Sequence, residues 1–206
     1  MPDSLAVFSS QPAGLQVRDV TWGPTSQAIF VELDFYFPLG VTWVCGGEGC
    51  GKTSLLRLLA GELQAHKGNI TGHGSVFWAD PHSDAHESAS ALAYFASLQA
   101  RLGPWNASRL AYLTDGLGIT EHLHKALYKL STGTKRKVWL TAAFAAGCSV
   151  TLIDEPFAAL DRPSIAFVNQ ELQAVHAQGQ GVWVVADYDA PAPWTSADIF
   201  QLDRSL

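Results

Sequence analysis

The nine residues GGEGCGKTS (46–54) constrain the fold more than any other part of the chain. They fit the pattern G-x-x-x-x-G-K-[ST] and stand between an apolar run, VTWVC (41–45), and a stretch with leucines at 55, 56, 58, 59 and 63 on one helical face. A strand that ends in glycines and opens into a helix puts a backbone curl at the positive end of the helix dipole. Gly46, Gly49 and Gly51 allow that curl, so that N–H groups along Gly46, Gly47, Glu48, Gly49, Cys50, Gly51 and on to Ser54 converge on phosphate oxygens. In this reading Lys52 reaches the β- and γ-phosphates and the Thr53 hydroxyl ligates Mg²⁺. The plain alternative is a glycine turn beside a chance lysine; the strand-to-helix setting weighs against it.

Apolar strands alternate with helices around this loop. Residues 15–22 and 29–37 read as strands, a turn at Pro38-Leu39-Gly40 leads into 41–45, and the following helix runs over 52–64 with Gly68 just beyond it. Residues 69–79 have the pattern of a small hairpin about Gly72 and Gly74. Residues 83–129 are alanine-rich with helical period, broken at Gly103-Pro104 and at 116–118, and read as an inserted helical subdomain. A helix over 135–146, the buried strand SVTLI (149–153), a helix over 164–178 and the strands VWVVA (182–186) and IFQLD (199–203) complete the series. Such alternation predicts an α/β fold with a largely parallel sheet under helical cover, and the 206 residues suffice for one domain over 1–206.

Composition narrows the function classes. Hydrophobic residues make up 48% and charged residues 16%, yet the longest apolar runs fall far short of the ~20 residues that span a bilayer. The formal charge of −6 argues against a surface built for nucleic acid while leaving room for a local phosphate pocket. Cys45, Cys50 and Cys148 show no metal-ligand spacing and read as reduced thiols. The opening MPDSLAVFSS has neither a basic start nor an apolar core, so no signal peptide and a cytoplasmic location are expected.

A second constellation lies in SVTLIDEPFAALD (149–161). Its buried strand delivers Asp154 and Glu155 to the crevice into which parallel strands open at their C-terminal ends. Asp154 is placed to hold Mg²⁺, and Glu155 to accept a proton from an attacking water as general base. Alone, an Asp-Glu pair after a strand is a solvated turn; downstream of 46–54 the catalytic reading prevails.

Together these residues resemble the nucleotide-binding subunit of ABC transporters over nearly the whole chain. Three features carry the resemblance: the loop 46–54, DEPFAALD (154–161) as Walker B with its D-loop, and LSTGTKRKV (130–138), which sits where the family has its LSGGQ signature. The resemblance implies a P-loop NTPase fold with an N-terminal antiparallel β subdomain. It implies ATP and Mg²⁺ as ligands, Lys52 and Glu155 as catalytic groups, and Thr53 and Asp154 as metal ligands. Two subunits, as a homodimer or as a heterodimer with a second ATPase, then sandwich two ATP molecules. Ser131, Thr132, Gly133 and Thr134 of one subunit close on the γ-phosphate bound by the other, at a helix N-terminus that favours anions. An N-cap is the alternative role for Ser131 or Thr132. Asp161 falls in the D-loop. Trp22 resembles the aromatic that stacks on adenine, with packing at a strand end as the alternative. The implied partner is an integral membrane transporter subunit, docked through the helical subdomain and the Asp80 region, which places the protein on the cytoplasmic face of the membrane. Short length is similar to that of small exporter ATPases; nothing specifies cargo.

The chain departs from the family pattern in several places. The signature carries Thr132 and Thr134, and Ala158 occupies the D-loop serine position. Asp80 follows SVFWA (75–79) where the family places a Gln that touches Mg²⁺ and the attacking water; Gln99, the nearest downstream alternative, lies in a helical pattern. Asp187 follows VWVVA where the family places a γ-phosphate-contacting His, and no histidine follows His176. An ionised aspartate repels phosphate and donates no hydrogen bond. Intact Lys52, Thr53, Asp154 and Glu155 favour retained hydrolysis, and Asp80 and Asp187 favour reduced turnover, as in an impaired subunit paired with a complete ATPase. A soluble nucleotide-dependent regulatory module is the second expectation, disfavoured because such proteins commonly carry two ATPase units in one chain. A generic P-loop kinase has no use for LSTG with DEPFAALD.

Overall fold

The computed structural model describes residues 14–24, 28–72, 74–80, 83 and 85–202. The opening segment, Pro81, His82 and Asp203, on which sequence expectations also fall, lie outside the described residues. In chain order the elements are β1 (Gly14–Trp22), β2 (Phe30–Pro38), β3 (Gly40–Cys45), α1 (Lys52–Leu59), β4 (Lys67–Thr71), β5 (Val76–Trp78) and α2 (Ala91–Leu102). They continue with α3 (Ala107–Gly116), α4 (Thr132–Ala146), β6 (Val150–Asp154), α5 (Arg162–Gln178), β7 (Val182–Asp187) and β8 (Ile199–Gln201).

Two sheets result, as the α/β reading requires. The central sheet has the order β5-β6-β7-β3-β8, and every pairing in it is parallel. Its inner strands β3, β6 and β7 are mostly apolar and buried almost along their whole length, because both faces are covered. Along β7, Val182, Val184 and Ala186 join one core with α1 and the second sheet, while Trp183 and Val185 join the core under α2 to α5. The second sheet, β2-β1-β4, is antiparallel.

The register of the central sheet positions the site. Cys45 pairs with Asp187, and Asp154 pairs with Ala186, so the ends of β3, β6 and β7 lie side by side at one edge. The loop after β3, the Asp154 corner and Asp187 therefore share one crevice at the C-terminal ends of the strands.

Three expectations are corrected. The helix expected over 52–64 ends at Leu59, because Gly61 turns left-handed (φ 76°) and the N–H groups of Glu62 and Leu63 fold back to the Arg57 carbonyl. Residues 69–79 do not form a hairpin. β4 pairs antiparallel with β1, and β5 pairs parallel with β6, so the chain changes sheets between them. Gly74 permits the passage at φ 113°; a Cβ there would lie 2.0 Å from Ser149 Oγ. The helix expected to begin at 135 begins at Thr132, with Ser131 accepting from the Thr134 N–H as its cap.

Within 83–129 lie α2 and α3, separated at Gly103-Pro104. Its two ends are pinned together by the Leu127 N–H donating to Ala89 O and by a bridge between Ser90 and Ala126. Arg109 and Tyr112 of α3 both donate to Glu171 of α5, which ties this segment to the sheet-covering layer.

Candidate nucleotide site

Four of the five described α-helices carry a side-chain cap: Ser90 for α2, Asn106 for α3, Ser131 for α4 and Asp161 for α5. α1 has none; its N-cap is Gly51 at φ 105°. The N-cap therefore offers the first-turn N–H groups no side-chain acceptor at the positive end of the helix, the arrangement that suits an anionic ligand. Gly51 is also sterically required, since a Cβ would lie 2.7 Å from Ile29 Cγ2 and 2.9 Å from the Phe30 ring. Gly47, Glu48 and Gly49 are exposed, Cys50 is buried, and Ser54 is partly buried on α1.

Lys52 is buried, and its ammonium donates to the Gly46 carbonyl at 2.7 Å and to the Gly47 carbonyl at 3.0 Å. The Tyr188 ring centroid lies 4.6 Å from the same Nζ. One residue further along α1, the Thr53 hydroxyl donates to Asp154 Oδ2 at 2.6 Å, joining the glycine loop to the end of β6 across 101 residues of sequence. Burial pushes the Asp154 carboxyl above the ordinary carboxylate range, against the Thr53 hydrogen bond, which lowers it.

Glu155 turns sharply out of β6 in the left-handed region (φ 47°), and its N–H donates to Ala186 O at 2.8 Å. Asp187 stands one register step beyond Ala186, with Oδ1 accepting from the Tyr188 N–H at 2.7 Å. Burial raises the Asp187 carboxyl, and the neighbouring Glu155 and Asp154 charges add to the rise.

The remaining sequence candidates fall around this centre. Ser131, Thr132, Gly133 and Thr134 open α4. Gly133 packs on the D-loop, where a Cβ would lie 2.4 Å from Ala159 O. Asp161 caps α5 and accepts from Lys137 at 2.7 Å, contacts that hold its carboxyl far below the ordinary range. Trp22 contacts Phe30 at 6.3 Å between centroids, and so lies one ring away from Gly51. Asp80 lies two residues beyond the end of β5, in a groove with Trp78, His86, Glu87 and Tyr94.

Three consecutive cations that the sequence reading passed over each hold a specific partner at the start of α4. Lys135 pairs with Glu87, Arg136 donates to the carbonyls of Asp154 and Glu155, and Lys137 pairs with Asp161. The signal in the sequence was KRK at the start of a helix, where the dipole disfavours positive charge unless partners hold it.

Comparison with known proteins agrees with this geometry. The family model for ABC transporters matches residues 32–158, and the chain belongs to that family as an ATP-binding subunit. Among curated relatives it is similar to the cytochrome c biogenesis ATP-binding export protein CcmA of Rhodospirillum rubrum, 31% identical with 98% of each chain covered. The protein of the same name from Pseudomonas savastanoi pv. phaseolicola is 28% identical over 92% of this chain and 97% of its own. In fold it resembles an ABC transporter ATP-binding protein from Pyrococcus furiosus, with a TM-score of 0.76 at 20% identity over 92% of this chain and 97% of the other.

Proposed function

We propose that this chain binds Mg²⁺–ATP in the crevice and hydrolyses it to drive a separate integral membrane subunit, as a CcmA-like export ATPase on the cytoplasmic face of the membrane. The observation that carries the proposal is the 2.6 Å hydrogen bond between Thr53 and Asp154, with Glu155 next in sequence at the same strand edge. A hydroxyl and a carboxylate brought together beside an anion-binding helix start suit a hard cation that takes oxygen ligands and shares them with phosphates. Thr53 and Asp154 would hold Mg²⁺, and the ion would neutralise charge on the phosphates.

The chain's own groups then have distinct tasks. The N–H groups over 46–54 cradle the phosphates, and Lys52 exchanges its Gly46 and Gly47 carbonyls for phosphate oxygens. Trp22 stacks on adenine beside Phe30. Glu155 accepts the proton of the attacking water. Ser131 to Thr134 face the nucleotide of a second subunit, a copy or a different ATPase, in a head-to-tail two-fold pair. The groove of about 170 Å³ that contains Asp80, lined also by Trp78, His86, Glu87 and Tyr94, receives the membrane subunit between β5 and the helical subdomain over 83–129.

Phosphate release by the purified protein and by Glu155→Gln tests the reading. Turnover is expected to fall about 10²- to 10³-fold in the variant while ATP binding is kept; equal, background-level rates in both would sink hydrolysis. Asp187 favours one second reading, a nucleotide-binding subunit whose turnover depends on a complete partner ATPase, because a carboxylate near the γ-phosphate repels it.

A further inference from the structure

Arg136 is a buried cation near the positive end of α4, a place where neither burial nor the helix dipole favours it. Its Nη1 donates to Asp154 O and to Glu155 O, each at 2.8 Å. Those two carbonyls bracket the corner at which the chain leaves β6, and the corner is strained: Glu155 sits at φ 47°, a conformation that residues with a side chain rarely adopt. The Glu155 peptide is thereby clamped on both sides, its N–H by Ala186 of β7 and its carbonyl by Arg136.

Anchoring of α4 is supplied by others. Lys135 ties the helix to Glu87, Lys137 ties it to Asp161, and Gly133 seats it on Ala159 O. Arg136 adds something different, one guanidinium nitrogen aimed at the corner. Its Nε is buried without a hydrogen-bond partner among the described residues, a cost that packing alone gives no reason to keep.

We propose that Arg136 is a positioning residue of the ATPase site: it fixes the Asp154-Glu155 corner and so holds the Glu155 carboxylate in place for hydrolysis. The proposal rests on the hydrolysis reading above. Lysine does not replace it fully, because the guanidinium plane fixes the directions of the two Nη1 protons, whereas an ammonium on a flexible stem leaves them free to rotate.

The test uses Arg136→Gln and the milder Arg136→Lys in the full chain, with ATP affinity, turnover and amide exchange measured together. In Arg136→Gln, turnover falls by about 30-fold or more while ATP affinity stays within about threefold. Exchange at the amides of Glu155, Phe157 and Ala158 quickens by about tenfold or more, with exchange in β6 unchanged, and Arg136→Lys recovers part of both. Unchanged turnover overturns the proposal, as does a joint loss of affinity, turnover and protection throughout β6 and α4, which marks a merely structural role. If the native protein itself releases no phosphate, the hydrolysis reading falls, and exchange at those amides alone decides whether Arg136 sets the corner.

Discussion

On the glycine-loop side of the crevice, Lys52 is buried and held by two backbone carbonyls, and Thr53 is joined to Asp154. On the β7 side, Tyr188 is 51% exposed, and Asp187 accepts from the amide of its immediate neighbour. The first side is made of main chain and side chains locked before any ligand arrives. The second is made of side chains at the end of a strand whose backbone pairing is indifferent to their identity. Cys45 pairs with residue 187 through peptide groups, so an aspartate there leaves the sheet intact. A change of side chain is therefore structurally tolerable on the β7 side, while Gly46 admits little change: an added Cβ there would lie 2.5 Å from Leu202 O.

The contrast can be broken most directly on the buried side. Lys52→Ala is expected to weaken ATP binding by about 10²-fold or more, since a positioned charged donor is lost; titration calorimetry showing a change below tenfold would place binding elsewhere. The β7 side should respond less and in the opposite direction. Asp187→His is expected to raise turnover by about three- to tenfold, because an imidazole donates a hydrogen bond where a carboxylate repels phosphate. Unaltered turnover in that variant would mean this flank works through another donor.

The smallest effect concerns stability. The Asp187 carboxyl is raised in the fold above its unfolded value of 3.8, so stability from this group falls as pH rises from 3.8 through the raised value, and the loss persists above it. Asp187→Asn keeps the acceptor for the Tyr188 N–H and removes the charge. With the partial exposure of the group allowed for, Tm is expected to rise by about 1–2 °C at neutral pH, with no difference below pH 3.8. A variant less stable than the native protein at neutral pH would show that the charge is balanced within the crevice.

Much of this was legible in the sequence. Strand, glycine loop and helix over 41–59 follow from local spacing, and so do Asp154 and Glu155 at the end of an apolar run. The places that resisted share one physical cause. Residues 67–71 and 76–78 read as a hairpin because both are short and flanked by glycine, but strand partners are chosen by non-local burial, and β1 and β6 outbid local pairing. Arg136 was invisible as a site residue because its acceptors lie 18 and 19 positions away, and carbonyls carry no sequence signature.

What the sequence determined by itself was the backbone chemistry: where glycines permit a curl, where a helix begins without a side-chain cap, and which residue types reach the strand ends. Tertiary structure decided adjacency. The parallel register set Asp187 against Cys45 and Asp154 against Ala186, α4 brought Arg136 to the Glu155 corner, and two sheets divided what looked like one hairpin. Local geometry follows from each residue's own conformational limits, whereas adjacency follows from which apolar faces are buried together, and that is a property of the whole chain.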